Sequence, residues 1–340
     1  MFRNLALVSS LSLYGLSAFA GPVKVGYSPV LSTAGYFIAL EKGYFKEYGL
    51  EIEGTPFKAS SAPMNALLAK GELDVGGGNI TAGLWNANGD SQNIKLVADK
   101  GTVSKGHDYL ALLVRKDLVD SGKFKGLKDL KGMKMAFTAQ GGTSQEIAAE
   151  RFLKKAGLTP KDVTYLKMTY ADMNAAFRTK ELDATIQIEP YVTIAEQEGI
   201  AVNKGSVYEV YPDQPSAALF YSAKFGKERE DDGVKFLAAY LRGVRDYNAA
   251  FGKEKKDQAA VIEILNKHTE KLAPEVWAKM KPVGLNPDGY LDQKRMKQDV
   301  EWFLGHKYVE KTLGLAQLVD NSFADKALKM IGKASAGKKK

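Results

Sequence analysis

Cysteine is absent from the 340 residues of the sequence, and histidine occurs only three times. Without cysteine, disulfides, thiolate metal sites and cysteine nucleophiles are excluded. The histidines, His107, His268 and His306, lack the spacing of a zinc site. The sequence also lacks the G-x-S-x-G motif of serine hydrolases and a complete phosphate-binding loop. We therefore expect no catalytic residue, no metal ion and no cofactor.

Arginine is scarce, so the positive charge comes mainly from lysine. The chain has 48 Lys and Arg against 40 Asp and Glu, a formal net charge of +8. Dispersed lysines usually form a solvated surface, although a basic field also attracts small anions. Aromatic residues do not alternate with a basic stripe, and the composition therefore does not favour nucleic-acid binding.

The first twenty residues have the pattern of a secretory signal peptide. Arg3 provides the positive start, a mainly apolar stretch runs from Leu5 to Leu16, and Ala18-Phe19-Ala20 has the form of a cleavage site. The apolar stretch is shorter than the ~20 residues that span a bilayer, which argues against a membrane anchor. We predict that residues 1–20 are removed before Gly21 and that the mature protein is periplasmic.

Beyond this segment, short strand patterns alternate with helical patterns, which predicts an α/β fold with mainly parallel, doubly wound sheets. The predicted strands are 23–28, 50–55, 73–76, 94–98, 109–114, 133–137, 163–166, 182–188 and 217–222. The predicted helices are 34–42, 62–70, 81–87, 143–156, 171–177, 191–198, 233–251, 258–267, 274–280 and 291–304.

The two halves of this pattern contain an internal echo. Ala66–Val75 resembles Ala176–Thr185, because each has a helix end, a tight turn, Glu-Leu-Asp and then a strand. In this alignment Gly71 has no counterpart. The echo fits either a generic connection between a helix and a strand or two similar lobes around a cleft.

Three strand-to-helix turns are rich in glycine and small hydroxyl residues: Ser28–Gly35, Gly76–Thr81 and Gln140–Gln145. Helix N-termini have free N–H groups and a partial positive charge, so they bind anions. Each turn taken singly also fits a structural role, and Thr143–Glu146 has the sequence of a capping box. Three such turns at the carboxyl ends of strands predict a ligand-binding cleft.

The segment Val25–Pro29, followed by Phe37–Leu50, resembles the opening of the nitrate/sulfonate/taurine-type substrate-binding proteins of ABC transporters. This family is often called NMT1/THI5-like. Further segments resemble the family in the expected order: Ala66–Val75, Leu127–Gly132, Ala156–Leu158 and Ile188–Tyr191. The similarity extends from about Val23 to Ser222.

The resemblance implies a periplasmic binding protein of type II, with two doubly wound α/β lobes joined by two crossover strands. We expect lobe 1 to comprise residues 21–110 and 216–340, and lobe 2 to comprise residues 111–215. The expected crossovers are Tyr109–Val114 and Pro215–Ser222. Such lobes close on a ligand by a hinge motion.

The resemblance also implies where the ligand binds. The contacts of the family fall here on Ser32, Thr33, Asn79, Thr81, Thr143 and Ser144. Gln187 and Glu189 follow where a lobe 2 strand ends, although Glu189 also fits a cap of its own helix. His107 precedes a crossover and either reaches the ligand or is structural. Aromatic residues at the turns and their helices could pack against a ring or belong to the core: Tyr27, Tyr36, Phe37, Trp85 and Tyr191.

The expected function is capture of a small organic anion and its delivery to an ABC transporter permease in the inner membrane, by a protein that acts as a monomer. Segments around Val97–Gly101 and Gly106–Tyr109 are similar to members associated with aromatic carboxylates such as phthalate; a sulfonate is the alternative.

A second interpretation is an enzyme or precursor-binding member related to thiamin-pyrimidine synthesis. Those enzymes have a similar fold, but they carry a Cys-rich motif that is absent here. A third is a soluble partner of a membrane receptor.

Overall fold

The computed structural model describes residues 21–57, 62–88, 93–139, 141–310 and 314–334. The predicted signal peptide and Gln140 lie outside the described residues. Within the described residues, no helix combines the length and the apolar character that crossing a bilayer requires. The chain forms two five-stranded sheets flanked by helices.

The strands are β1 Val23–Tyr27, β2 Ile52–Pro56, β3 Val75–Asn79, β4 Ile94–Val103, β5 Leu110–Arg115, β6 Lys134–Phe137, β7 Thr164–Lys167, β8 Ala184–Ile188, β9 Ala201–Ser206 and β10 Gln214–Ser222. The helices are α1 Ala34–Glu41, α2 Tyr44–Glu47, α3 Ala62–Lys70, α4 Ala82–Asn88, α5 Lys116–Asp120, α6 Ser144–Lys155, α7 Tyr170–Arg178, α8 Tyr191–Gln197, α9 Ala223–Glu228, α10 Glu230–Phe251, α11 Gln258–His268, α12 Pro274–Lys279, α13 Gln293–Gly305, α14 Leu315–Leu318 and α15 Ser322–Ile331.

The strand order is β2-β1-β3-β10-β4 in the first sheet and β7-β6-β8-β5-β9 in the second. We call the parts built on these sheets lobe 1 and lobe 2. In lobe 1, β1 is parallel to β2 and β3, whereas β10 is antiparallel to β3 and β4. Lobe 2 repeats this arrangement, with β5 antiparallel to β8 and β9. The prediction of mainly parallel sheets is confirmed for four of the five strands in each sheet. The exceptions are β10 and β5, which enter their sheets from the other lobe and run in the opposite direction.

The chain passes between the lobes twice, which confirms the predicted fold class. The first passage lies between Val103 and Leu110, and the return lies between Ser206 and Gln214. The predicted crossovers were placed too late in the chain, since β5 and β10 each belong to one sheet along their whole length. The residues at which each lobe begins and ends stay a prediction.

The glycine triplet Gly76–Gly78 lies inside β3 and is not a turn, contrary to the prediction. It forms a strand because β10 pairs with it residue by residue, with Leu219 opposite Gly77. Glycine in a strand interior marks a close approach by another group, and a Cβ on Gly76 would lie 2.4 Å from Leu68 Cδ1. The predicted turn therefore shortens to the two residues after Asn79.

The first strand-to-helix connection is held against lobe 1 by the long helix α10. A Cβ on Gly243 would lie 2.1 Å from the carbonyl oxygen of Gly35, so α1 and α10 cross with their backbones in contact. Phe37 and Ile38 of α1 are fully buried in the same core. This packing fixes the position of residues 28–33, which precede α1.

The two copies of the internal echo also form equivalent hydrogen bonds. Asp74 accepts a bond from the backbone N–H of Lys24 at 2.9 Å, and Asp183 accepts one from Lys134 at the same distance. Each aspartate thus links the end of its copy of the echo to the start of a neighbouring parallel strand, which is β1 in lobe 1 and β6 in lobe 2. In both copies, the turn between the helix and the strand contains a residue in the left-handed conformation, which is Gly71 with φ +70° in lobe 1 and Lys180 with φ +64° in lobe 2.

The equivalence of Gly71 and Lys180 corrects the gap in the sequence alignment. The N–H of Glu72 donates to the carbonyl of Leu67, and the N–H of Glu181 donates to that of Ala176, both at 2.9 Å. The two copies therefore align without an insertion, shifted by one residue from the sequence-based alignment over the helix. The echo therefore occurs at equivalent positions in two lobes of the same topology.

Candidate functional site

A cavity of about 130 Å³ lies between the two lobes, where the carboxyl ends of β1, β3 and β6 meet. Lobe 1 contributes the lining residues Ser28, Val30, Ser32, Phe57, Gly78, Asn79, Thr81 and Lys100. Lobe 2 contributes Thr138, Ala139, Thr143, Thr169 and Tyr170. Most of these side chains end in a hydroxyl or amide group, and one ends in an ammonium group.

Lys100 reaches the cavity because β4 carries a β-bulge. Gly101 pairs with Ala217 and Asp99 pairs with Ala218, so Lys100 is an extra residue between neighbouring pairs. A bulge turns the side chain of the extra residue away from the regular alternation. The side chain of Lys100 is buried, and its Nζ donates a hydrogen bond to Ser32 Oγ at 2.8 Å.

Burial determines the acid–base properties of Lys100. The removal of its ammonium group from water lowers the pKa from 10.5 to about 7, and the nearby Asp99 carboxylate raises it only in part. Among the described residues, Lys100 Nζ forms no ion pair within 4 Å. The cavity therefore holds a lysine whose charge is uncompensated at close range.

Asp99 is directed away from the ammonium group and holds a C-terminal loop. Its Oδ2 accepts a hydrogen bond from the Asn286 N–H at 2.8 Å, and its Oδ1 accepts one from Thr102 Oγ1 at 2.6 Å. Burial raises the pKa of Asp99 to about 6, although these donors and Lys100 act in the opposite direction. The carboxylate thus fixes the conformation of β4 around the bulge.

The lobes contact each other directly beside the cavity. The Ala82 N–H, at the start of α4, donates to the Gly142 carbonyl at 2.9 Å, and Thr81 forms a β-bridge with Thr143. Tyr170, the first residue of α7, hydrogen-bonds through its side chain to Asn79 of lobe 1. Burial raises the pKa of Tyr170 to about 12, so its phenol remains a neutral hydrogen-bond donor at the carboxyl end of β3.

Four of the predicted site residues line the cavity: Ser32, Asn79, Thr81 and Thr143. The structure brings them together from three different strand-to-helix connections, as the sequence analysis expected. Their role as ligand contacts stays a prediction.

Thr143 also caps α6. Its Oγ1 accepts a hydrogen bond from the Glu146 N–H at 3.1 Å. The Glu146 carboxylate in turn accepts bonds from the N–H groups of Gly142 at 2.7 Å and Thr143 at 2.8 Å. The free loop amides that were predicted to receive a ligand anion are therefore bonded to a carboxylate of the chain itself. This geometry favours the capping role of Thr143, and it leaves the positive charge of the site to Lys100.

Three further predicted residues, one at the end of β1 and two in the first and third connections, do not line the cavity. Thr33 donates its hydroxyl to the Ser28 carbonyl at 2.7 Å, which shapes the turn. Tyr27 packs against Phe37 with ring centroids 5.4 Å apart, at the core side of β1. Ser144 is buried, and its carbonyl accepts a bond from Gln214 Nε2 at 2.9 Å. These residues support the cavity wall from behind.

Gln187 and Glu189 likewise bind other parts of the protein. Gln187 Nε2 donates to the carbonyl of Tyr170 at 3.0 Å and so holds the start of α7. The Glu189 carboxylate accepts bonds from the N–H and the hydroxyl of Thr193 and from the Lys281 N–H. Of the two alternatives for Glu189, the geometry favours the helix cap.

His107 lies in the first passage between the lobes and does not line the cavity. Its Nδ1 is 3.3 Å from Ser104 Oγ, and its N–H donates to the Ser104 carbonyl at 2.8 Å. These contacts close a tight turn between β4 and β5. The geometry therefore favours a structural role for His107.

The lining residues that were not predicted from the sequence include Lys100, Phe57 and Tyr170. A signal for Lys100 was present, since Asp99-Lys100 interrupts an apolar strand, and charged residues are rarely buried in such a strand without a purpose. Within the parts of the chain that the structure describes, no group of three or more His, Asp or Glu side chains is arranged to hold a metal ion.

Comparison with known proteins agrees with this arrangement. The model of the NMT1-like family matches residues 20–265, more than half of the chain. A Bacillus subtilis protein provisionally named as an aliphatic sulfonates-binding protein is 27% identical over 323 residues, which cover 90% of this chain and 88% of that protein.

Two solved structures share the fold. The ligand-binding component of an ABC-type import system from Staphylococcus aureus, solved with zinc bound, is 17% identical with a TM-score of 0.73 and covers 91% of this chain and 99% of its own. The alkanesulfonate-binding protein SsuA from Xanthomonas axonopodis pv. citri, bound to MOPS, is 19% identical with a TM-score of 0.69 and covers 88% and 99%.

Proposed function

The chain belongs to the NMT1-like family, and on that premise we propose that it is the solute-binding protein of an ABC importer. It captures a small organic anion in the cavity between its lobes and delivers it to a membrane permease. It catalyses no reaction. The relatives described above support this role, because one is named for binding sulfonates and another is the ligand-binding part of an import system.

The observation that carries the proposal is the buried ammonium group of Lys100. A buried charge is expensive unless it is paired, and the described partner of Lys100 Nζ is the neutral hydroxyl of Ser32. An anion in the cavity supplies the missing charge and forms a charge-assisted hydrogen bond with the ammonium group. The surrounding hydroxyl and amide groups then satisfy the remaining oxygens of a carboxylate or sulfonate.

The size and lining of the cavity narrow the ligand. A volume of about 130 Å³ is well below the roughly 300–1,000 Å³ of drug-sized ligand sites. Phe57 and Tyr170 supply aromatic faces beside the polar groups. We propose an aromatic carboxylate such as phthalate as the first candidate and a small sulfonate as the second.

The proposed location is the periplasm, where the mature chain acts as a monomer with an inner-membrane permease as its partner. The pattern Ala18-Phe19-Ala20 motivates cleavage before Gly21. The intact mass of protein released from the periplasm tests this location. Uncleaved chain in the membrane fraction would refute it.

A binding panel tests the function. Benzoate, phthalate, methanesulfonate and nitrate are compared with the neutral benzamide by calorimetry and by thermal shift at pH 6. An anion at 100 times its dissociation constant stabilises the protein by about 2.7 kcal/mol. We expect at least one anion to bind and benzamide to be inert.

The variant Lys100→Met is expected to lose at least tenfold in affinity, since a charge-assisted hydrogen bond is worth roughly 1.5–3 kcal/mol. Lys46→Met, which removes an exposed lysine from α2 of the same lobe, is the matched control and leaves affinity unchanged. Equal binding of benzamide and benzoate, or equal loss in both variants, would refute the proposal.

A further inference from the structure

In the part of the chain that the structure describes, the surroundings of Lys100 contain little that could compensate its charge. The connection 28–33 packs against it with the hydroxyl of Ser32, and β3 faces its stem with Gly77, which has no side chain. From β10, Ser216 bonds to the phenol of Tyr109. The carboxylate that acts on Lys100 is that of its neighbour Asp99, whose oxygens bond to Thr102 and to the Asn286 N–H.

Among the described residues, the other titratable groups that line the cavity or bond to Asp99 are neutral phenols. Tyr170 lines the cavity from lobe 2, and Tyr240 on α10 donates to the Asp99 carbonyl at 2.9 Å. Burial raises the pKa of both phenols, and that of Tyr109 as well. Of the described residues that line the cavity or bond to Asp99, Lys100 and Asp99 are therefore the ones that change their charge between pH 6 and 9.

Resting on the proposed function, we propose that Lys100 takes up one proton when a monoanion enters the cavity, so that the anion and the proton bind together. The free amine accepts the proton on its Nζ lone pair from solvent. The ammonium group that results lies against the anion, and the cavity gains no net charge. Ser32 Oγ remains within hydrogen-bond distance of Nζ in either charge state, because a hydroxyl both donates and accepts.

The physical basis is reciprocal stabilisation. In the empty cavity, burial disfavours the ammonium form and holds the pKa of Lys100 at about 7. An adjacent negative charge favours the ammonium form, so the pKa rises when the anion binds. By linkage, the affinity for the anion must depend on pH over the same interval.

The expected pH profile follows from the protonated fraction. At pH 6 that fraction is nearly complete, and affinity is nearly constant below this pH as long as Asp99 does not change its charge. Above pH 7 the competent fraction falls tenfold for each pH unit, and the apparent dissociation constant rises in proportion. Between pH 6 and pH 9 we expect roughly a 100-fold loss of affinity for benzoate or methanesulfonate, whose own charges are constant in this range.

Carbon-13 NMR of the full mature chain, labelled at lysine Cε, measures the titration directly. The signal of Lys100 is identified by its absence in Lys100→Arg, and Lys46→Arg controls for the labelling. Without added anion we expect a midpoint near neutral pH. With saturating benzoate or methanesulfonate we expect the midpoint to rise by more than about two pH units, since a smaller rise would give a weaker pH dependence than the one expected above. Calorimetry in buffers of different ionisation enthalpy at pH 8 should then report uptake of close to one proton.

Lys100→Arg supplies the second test, because a guanidinium group keeps its charge throughout this range. We expect its anion affinity, whatever its absolute value, to be flat between pH 6 and 9. A Lys100 midpoint above pH 9 without anion, or a midpoint that no probe shifts, would overturn the coupling. Anion binding that is equally strong at pH 6 and 9 would overturn the coupling and leave the proposed function intact, whereas the failure of every probe to bind would refute both.

Discussion

The side chain of Lys100 on β4 extends across the intervening strand β10 and packs against Gly77 on β3. A Cβ atom on Gly77 would lie 2.8 Å from both Cδ and Cε of Lys100, closer than van der Waals contact allows. The absence of a side chain at residue 77 thus creates the channel through which the lysine stem reaches the cavity. The glycine triplet of β3 is therefore part of the site, although it forms no loop around a ligand.

We expect Gly77→Ala to displace the ammonium group of Lys100, because the lysine stem can move and the sheet cannot. Anion affinity should fall at least tenfold while the melting temperature changes little. Gly83→Ala in α4 is the control, since its Cβ would meet nothing nearer than Thr81 Oγ1 at 3.6 Å. Calorimetry and thermal melting of both variants test this, and unchanged affinity in Gly77→Ala would contradict the assigned role of Lys100.

Lys100→Met should stabilise the free protein at pH 6. Since the folded-state pKa of Lys100, about 7, lies below the unfolded value of 10.5, the buried charge costs free energy at low pH. That cost is relieved as pH rises from about 7 to about 10.5, where the unfolded state binds more protons. The cost is of the order of a few kcal/mol.

Urea denaturation at several pH values measures this effect. The wild-type free energy of unfolding should gain a positive slope between pH 7 and 10 that Lys100→Met lacks. The Lys46→Met variant should retain the slope. A Lys100→Met protein that is less stable than wild type at pH 6 would show that the lysine is compensated within the protein.

Thr143→Ala should lower stability by about 1 kcal/mol through loss of the N-cap of α6, while Ser144→Ala should have little effect on affinity. Thr143 both accepts the Glu146 N–H bond and lines the cavity, whereas Ser144 lies behind the wall. Thermal melting and calorimetry of the single and double variants separate the two residues. A tenfold loss of affinity in Ser144→Ala would mean that its hydroxyl contacts the anion.

Gly142→Ala should prevent the lobes from closing. Gly142 has φ +101°, and a Cβ there would lie 2.5 Å from the Cβ of Ala82 in the other lobe. Gly141 has a similar φ of +91°, but its Cβ would meet only Tyr308 at 3.9 Å. The two alanine variants therefore share backbone strain, of about 1–2 kcal/mol, and differ in the contact between lobes.

Small-angle scattering with a saturating anion checks the effect of Gly142→Ala. We expect a larger radius of gyration and a weaker affinity in Gly142→Ala than in Gly141→Ala. Identical scattering and affinity in the two variants would show that the Ala82–Gly142 contact is not required for closure.

The alternation of strands and helices was predictable because it depends on local periodicity and on local stop signals. Gly43 is such a signal, since it follows the predicted helix 34–42 directly and has φ +75°. The direction of β5 and β10 was not predictable, since antiparallel pairing depends on partners far away in the chain. The triplet Gly76–Gly78 has the composition of a turn, and only pairing with β10 makes it a strand. β9 was missed because Ala201–Ser206 has almost no apolar alternation.

The site was predictable to the extent that small hydroxyl residues follow strands. Thr81 and Thr143 could be found in this way, because the carboxyl ends of strands meet at the edge of a sheet. The charged pair Asp99-Lys100 marked Lys100 as unusual, but the direction of its side chain could not be predicted, because it depends on a bulge in the pairing between β4 and the distant β10. A lysine in a sequence rich in lysine is ordinarily solvated, and composition alone argued against it.

Because the connections at Gly71 and Lys180 match, each lobe can serve as the reference for a measurement made in the other. The same left-handed turn is built with glycine in one lobe and with lysine in the other, and each is followed by an aspartate that accepts an N–H bond at 2.9 Å. The exchange between glycine and lysine can therefore be measured in both directions in the same molecule, as Gly71→Lys in lobe 1 and Lys180→Gly in lobe 2, with solvent, temperature and chain length held constant. The difference between the two results isolates the effect of the surrounding lobe, as a thermodynamic cycle does between separate proteins.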